Sequence, residues 1–293
     1  MLLCSFAPTA LGRLLDEQIA GGVTGVVPVG TTGESPSLTA EEKQAIFELC
    51  VSKCKPHGVQ VIAGTGTNVT SSTIEATKKA AKAGADFALV VVPYYNKPNQ
   101  TGLYEHFKAV AEQGGLPVVL YNIPGRSGVQ LTAETVVKLS KVPGIVGIKE
   151  STGNLDMSTE IASQCDITIL SGDDSLTLPI MAVGGKGVIS VMSNFAPHLV
   201  KEIVDPALAG DYAKAAVAHR RAFKLIKTLF VEPNPQPTKA AMGLLGMIDN
   251  VLRLPMVPAT EETTSKVKAA MEEVGIEAKS ASSGKQPAKK ARR

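Results

Sequence analysis

The stretch Gly144-Ile-Val-Gly-Ile-Lys-Glu-Ser151 decides the fold. It is short, apolar and β-branched, with Pro143 before it and Ser151-Thr152-Gly153 after it. That reads as a buried strand with Lys149 at its C-terminal end. An ammonium group is costly to bury, so such a lysine must find a carboxylate, reach water or give up its proton. A neutral lysine is a nucleophile toward carbonyl carbon and can form a Schiff base. The alternative is structural: the stem packs while the charged head extends to solvent.

Similar runs recur on either side of this one. They are Gly25-Val-Val-Pro-Val29, Val59-Gln-Val-Ile-Ala63, Phe87-Ala-Leu-Val-Val-Val92, Leu116-Pro-Val-Val-Leu-Tyr121, Ile167-Thr-Ile-Leu170 and Gly187-Val-Ile-Ser-Val191. Amphipathic stretches separate them. Thr39-Ala-Glu-Glu42 has the capping-box pattern of a helix start running toward Cys54, and Thr132-Ala-Glu-Thr135 opens another helix. Gly84 and Gly114-Gly115 stand where helices should end. Strands of near-continuous apolar character alternating with helices predict a parallel sheet covered on both faces.

Seven strands are visible, and a helix over about Ala10–Ala20 precedes the first. That helix implies a strand before it, and an eighth strand closes a (β/α)8 TIM barrel. Only Met1–Phe6 is left to supply that strand, so the first barrel strand reads as truncated. An open doubly wound sheet is the competing topology, but it usually carries a phosphate fingerprint. Gly64-Thr-Gly-Thr-Asn68 lacks the third glycine, and Val183-Gly-Gly-Lys-Gly187 lacks the P-loop spacing, so both read as turns. Beyond Val191 the pattern is helical only, near 197–208, 211–230, 238–248 and 260–274. The expected organisation is a catalytic α/β barrel over 1–195, a C-terminal helical appendage over 196–276 and a basic disordered tail over 277–293.

Bulk composition narrows the function classes. With 293 residues, 44% of them hydrophobic, the chain can bury a substantial core. Net charge is +3, but six basic residues and no acid lie in 279–293, so the rest of the chain carries −3. A body of that charge does not ask for nucleic acid. The Lys289-Lys-Ala-Arg-Arg293 end would suit a nuclear signal or a polyanion contact, yet it reads more simply as a solvated extension. No apolar stretch is long enough to span a bilayer, and the start lacks the basic flank of a signal peptide. Cys4, Cys50, Cys54 and Cys165 show no metal-ligand spacing and suit reduced thiols in a cytoplasm.

In a barrel, side chains at the C-terminal strand ends converge on one mouth. Those residues are Thr31, Thr32 and Glu34; Tyr94 and Tyr95; Tyr121, Asn122 and Arg126; Lys149; Gly172-Asp-Asp174; and Ser190. One lysine, hydroxyls able to pass protons and an arginine able to grip a carboxylate are the parts that Schiff-base chemistry on a 2-oxo acid needs. Each also has a plain structural reading, tyrosines as amphipathic strand-end residues and Thr31-Thr32-Gly33 as a capped turn.

At these residues the chain resembles the 4-hydroxy-tetrahydrodipicolinate synthase family. The motifs are Val29-Gly-Thr-Thr-Gly-Glu-Ser35, Val92-Pro-Tyr-Tyr-Asn-Lys-Pro98, Tyr121-Asn-Ile-Pro-Gly-Arg126, Gly147-Ile-Lys-Glu-Ser151, Leu170-Ser-Gly-Asp-Asp174, Gly187-Val-Ile-Ser190 and Val231-Glu-Pro-Asn-Pro235. They span roughly 11–274 in unbroken order and are jointly specific. The resemblance implies a lyase of the pyruvate-dependent class I aldolase superfamily that condenses pyruvate with L-aspartate 4-semialdehyde in the diaminopimelate route to lysine. It implies Lys149 as the Schiff-base residue and Tyr121 as proton donor and acceptor. Thr31 would link Tyr121 to Tyr95, which reaches into a neighbouring subunit's site. Thr32, Gly172 and the Ile189 backbone would hold pyruvate, and Arg126 would take the carboxylate of the semialdehyde. The implied protein is a homo-oligomer, at least a dimer and by family pattern a tetramer, with no metal and no dissociable cofactor.

Related lyases of N-acetylneuraminate and aldolases of 2-keto-3-deoxy sugar acids share the lysine and tyrosine, but typically lack an arginine matching Arg126. A non-catalytic barrel scaffold is the reading from another class. Two features depart from the family pattern. Its first strand, an apolar run ending in Thr-Pro, has only Met1–Phe6 in its place, which points to a longer native start. Its lysine effector site is matched at Ser35, Asn68 and Tyr94, but Ser72 replaces a glutamate, and Ala40 and Lys43 stand where histidines are common. Weak feedback by lysine is the expectation.

Overall fold

The computed structural model describes residues 7–279. Six apolar runs become a parallel sheet in sequential order: β1 (Gly25–Val26), β2 (Gln60–Gly64), β3 (Phe87–Val91), β4 (Val118–Asn122), β5 (Ile145–Glu150) and β6 (Thr168–Ser171). The first run yields only two residues of strand because Pro28 has no N–H to donate and Val29 turns to φ 60°. The expected seventh strand forms a single bridge between Val188 and Ser171. Residues 187–189 still follow β6, with Ser171 N–H donating to the Gly187 carbonyl and Ile189 N–H to the Ser171 carbonyl, each at 2.9 Å. They then leave the ladder and turn into a short 3-10 helix at Met192–Asn194.

Helices α1 (Pro8–Ala20), α2 (Ala40–Cys54), α3 (Thr70–Ala83), α4 (Gln100–Gln113), α5 (Pro124–Ser127), α6 (Ala133–Leu139), α7 (Leu155–Gln164) and α8 (Thr177–Ala182) connect these segments. The two cap signals form as read. Thr39 and Glu42 make the reciprocal capping box of α2, and the Thr132 hydroxyl accepts from Thr135 N–H at the start of α6. Gly84 closes α3 at φ 92°, a left-handed position that costs a β-carbon-bearing residue energy.

Two apolar layers fix the curvature of the sheet. Outward-facing Ala88, Val90, Val118, Leu120 and Ile148 pack with Leu103, Phe107, Val136 and Ile161 of the surrounding helices. Inward-facing Leu89, Val119 and Tyr121 pack with Val27 from one end of the sheet and Ile189 from the other. Side chains from both ends meet only if the sheet curls, so the strands form a half-barrel with a filled interior. Among the described residues β1 pairs only with β2. The strand expected from Met1–Phe6, and most of the expected tail, lie outside the described residues.

The four later helices are α9 (Pro197–Leu208), α10 (Tyr212–Thr228), α11 (Gln236–Leu244) and α12 (Glu261–Glu273). The third of them stops short of the expected Ile248, because Gly246 takes φ 63° and the chain turns there. Their core of Leu199, Ile203, Leu225, Ile226, Leu229, Val267 and Met271 is continuous with Val191, Met192 and Phe195 at the sheet's end. Burying each such large aliphatic side chain contributes about 1.5–3 kcal/mol. Cys50 and Cys54 are buried free thiols, and burial pushes Cys50 up to about 12. Among the described residues no helix is long and apolar enough to cross a membrane.

Candidate active site

The register of the central strands aligns Tyr121 of β4 with Lys149 of β5 and Leu170 of β6. Because strand side chains alternate, residues 119 and 121 point into the curl together with 147 and 149. Lys149 is 9% exposed, and its Nζ lies 4.2 Å from the centroid of the Tyr121 ring. The space for its stem comes from Gly172. A β-carbon there would lie 1.8 Å from Ser151 Oγ and 2.9 Å from Lys149 Cε, so only glycine lets the chain pass this close. Ser151 Oγ is itself buried without a hydrogen-bond partner beside the lysine.

Charge around the lysine comes from the turn after β6. Burial pushes the Asp173 carboxyl above the usual carboxylate range, while the attraction of Lys149 and then Lys227 acts against that rise. Asp174 is buried and pushed up for the same reason. It accepts a short hydrogen bond from the Ser190 hydroxyl and a 2.8 Å bond from Val191 N–H. This carboxyl therefore clamps the Ile189 segment, which meets β6 through the Ser171–Val188 bridge. On the opposite face of β5, buried Glu150 accepts from Thr152 N–H at 2.6 Å and from Asn122 Nδ2 at 3.2 Å. Asn122 also ties both backbone groups of Leu131, fixing the start of the next helical connection.

Arg126 lies on the one-turn helix α5, exposed, with Nη2 donating to the Asn234 carbonyl at 3.1 Å. The Asn234 amide donates to Thr32 Oγ1 at 2.9 Å. Close by, Lys239 pairs with Glu34 at 2.5 Å, and Arg253 pairs with both oxygens of Glu42 at 2.7 and 2.6 Å. These pairs pin residues 239 and 253 onto the loop that follows β1 and the first turn of α2.

Tyr95 is 89% exposed at φ 74°. Among the described residues no hydrogen bond joins Thr31 to Tyr121 or Tyr95, so the expected relay is not assembled within one chain. Ser35 opens a 3-10 turn, Tyr94 is exposed, and the Asn68 carbonyl accepts from Asn96 Nδ2 at 2.8 Å. The structure thus gathers Lys149, Tyr121 and Gly172 in one place and Thr32 and Arg126 around Asn234. Among the described residues no group of three or more His, Cys, Asp or Glu could hold a metal ion. Sequence reasoning assigned no role to Asn234 or to Asp174. Their signal was present, as the Val231-Glu-Pro-Asn-Pro235 and Gly172-Asp-Asp174 motifs, but neither residue type announces a clamp.

The chain is similar to known proteins over most of its length. The model of the dihydrodipicolinate synthetase family matches residues 5–274. The chain is 48% identical over 261 residues to 4-hydroxy-tetrahydrodipicolinate synthase 1 of Halalkalibacterium halodurans, covering 88% of each. It is similar to the crystal structure of dihydrodipicolinate synthase from Aquifex aeolicus, with a TM-score of 0.91, 44% identity and 94% of both chains covered. It is also similar to the chloride-inhibited dihydrodipicolinate synthase of Acinetobacter baumannii complexed with pyruvate, with a TM-score of 0.91, 39% identity and 93% and 94% of the chains covered. Matches of this extent fix the relationship: the chain belongs to the dihydrodipicolinate synthetase family.

Proposed function

We propose that the chain condenses pyruvate with L-aspartate 4-semialdehyde through a Schiff base on Lys149, yielding 4-hydroxy-tetrahydrodipicolinate for lysine biosynthesis in the cytoplasm. The observation that carries this reading is the nearly buried Lys149 amine stacked against the Tyr121 ring at the C-terminal end of two registered parallel strands. The family's names and the pyruvate complex of the Acinetobacter relative support it.

In this reaction the neutral Lys149 amine adds to the C2 carbonyl of pyruvate, and the carbinolamine loses water to give an iminium. Removal of a C3 proton yields an enamine, whose carbon attacks the semialdehyde's aldehyde. The semialdehyde's own amine then attacks C2, closes the ring and releases Lys149. Tyr121 exchanges the protons, with Thr31 linking it to Tyr95 of a neighbouring copy. Thr32, Gly172 and the Ile189 backbone hold pyruvate, and Arg126 grips the semialdehyde's carboxylate as a planar fork. We assign residues 1–195 to a (β/α)8 barrel and 196–276 to a helical appendage in a homotetramer. Arg126 favours this carboxylate-bearing acceptor over the sugar aldehydes that related aldolases condense with pyruvate.

The test is trapping. Incubation with pyruvate and borohydride is expected to add a reduced adduct to the peptide carrying Lys149, absent in Lys149→Ala, whose condensation rate drops by several orders of magnitude. A folded parent protein that traps no adduct would favour the non-catalytic scaffold.

A further inference from the structure

We infer that Asn234 is a positioning residue that couples the two substrate subsites; this rests on the proposed condensation. Asn234 is only 5% exposed, and it touches residues on both sides of the mouth. Its carbonyl takes one N–H of the Arg126 guanidinium, and its side-chain amide donates to Thr32 Oγ1. The direction of that second bond matters chemically. Buried Thr238 donates its hydroxyl hydrogen to Asn234 Oδ1 at 3.2 Å, which turns the amide nitrogen toward Thr32. A threonine that accepts from an amide keeps its own O–H for a further acceptor. Thr32 is thereby polarised to donate to a carboxylate, as a pyruvate subsite requires. With the amide reversed, Thr32 would spend its hydrogen on Asn234 and offer the ligand only lone pairs.

On the other side, a guanidinium has five N–H groups. One bond to the Asn234 carbonyl fixes the plane of an exposed arginine and leaves the others for a second carboxylate. Ordering such a long side chain in advance removes a rotamer-entropy cost from binding. Asn234 is itself held from both directions. Thr238, one helical turn onward, fixes its amide, and Lys239 ties α11 to Glu34, two residues from Thr32. The two carboxylate-binding groups therefore share one anchor, although they lie on loops after different strands.

The experiment is steady-state kinetics on the full enzyme with Asn234→Asp, Thr32→Val and the double variant, alongside melting temperatures. Aspartate keeps the size of asparagine and still accepts from Thr238, but cannot donate to Thr32. The KM for pyruvate is expected to rise about tenfold, as the loss of one charged hydrogen bond implies, with kcat within about threefold. In the Thr32→Val background the same change is expected to raise it little further. A merely structural role, or plain charge repulsion, would leave the two effects additive. Asn234→Ala keeps the backbone carbonyl that Arg126 uses but cuts its side-chain ties to Thr32 and Thr238, so the loosened carbonyl is expected to raise the KM for the semialdehyde several-fold in the parent and not in Arg126→Ala. If Asn234 variants fail to fold, Thr238→Val, which removes only the hydroxyl that orients the amide, is expected to give a smaller rise in pyruvate KM. Additivity in both cycles, or KM values within about twofold of the parent, would overturn the coupling while parent turnover leaves the condensation standing. A parent that neither turns over nor traps pyruvate overturns both.

Discussion

His106 illustrates how one side chain can record its surroundings in a pH dependence. It is buried on α4, Nδ1 lies 3.0 Å from Thr70 Oγ1, and Nε2 has no partner. Burial alone pushes its pKa from 6.5 down to about 4. In the unfolded chain the imidazole takes up a proton below about 6.5; in the fold it does not until about 4. The unfolded state therefore binds more protons across that window, and stability is lost as pH falls through it. The cost by pH 4 is on the order of 3 kcal/mol. Buried Glu150 and Asp174, whose pKa values burial raises above the usual carboxylate range, act in the opposite sense. They are present in parent and variant alike and cancel in a difference. His106→Gln keeps a hydrogen-bonding amide but does not titrate. The urea midpoint of the parent is expected to fall more between pH 7 and pH 5 than that of His106→Gln. Parallel curves for the two proteins would contradict this assignment. Lys149 was legible at the same scale for a related reason: a lysine at the end of a buried strand breaks the local pattern. Asn234 was not, because an asparagine in a Pro-rich turn breaks none.

Elements were read most reliably where one physical signal dominated. The α2 capping box and the left-handed Gly84 formed as read, because a cap is decided by three or four neighbouring residues. The two-residue β1 and the single-bridge segment at 187–191 were over-read. Apolar periodicity reports burial rather than ladder pairing, and Pro28 and the Asp174 clamp decide the pairing. The turn reading of Gly64-Thr-Gly66 was incomplete: a β-carbon at Gly64 would lie 2.2 Å from the Val29 carbonyl, and one at Gly66 2.4 Å from Val91 N. These glycines serve close backbone approach between strand ends, which sequence alone does not separate from a turn. The proposed effector site also belongs to this scale. It draws Ser35 from the turn before α2, Asn68 from the turn before α3 and Tyr94 from the loop after β3. Ser72 offers no charge to an ammonium ligand where a glutamate would. Loss of such a charged hydrogen bond costs about 1.5–3 kcal/mol. Lysine is therefore expected to inhibit only in the millimolar range or above, and half-inhibition at sub-millimolar lysine in a coupled assay would contradict it.

At the scale of the whole molecule, the exposed Tyr95 points to a site shared between copies. Tyr95 completes the proton relay in the proposed mechanism, yet it projects from the surface at 89% exposure, with its backbone held at φ 74°. A bulky residue with positive φ is uncommon, and a fully exposed tyrosine contributes little to its own fold. Both features make sense if the side chain completes the site of a second copy. In a two-fold dimer the same surface patch meets itself, so each chain gives a tyrosine and receives one. That geometry permits complementation. Lys149→Ala chains lack the nucleophile but supply an intact Tyr95, while Tyr95→Phe chains supply the nucleophile. Each variant alone is expected to be nearly inactive. Co-expressed in equal amounts, half of the dimers are mixed, and each mixed dimer has one site with both groups intact, so about a quarter of parent activity is expected to return. Activity equal to the sum of the separate variants would mean that Tyr95 acts within its own chain. The relay would then require the loop after β3 to fold back over the mouth, against the outward geometry of Tyr95 in this structure.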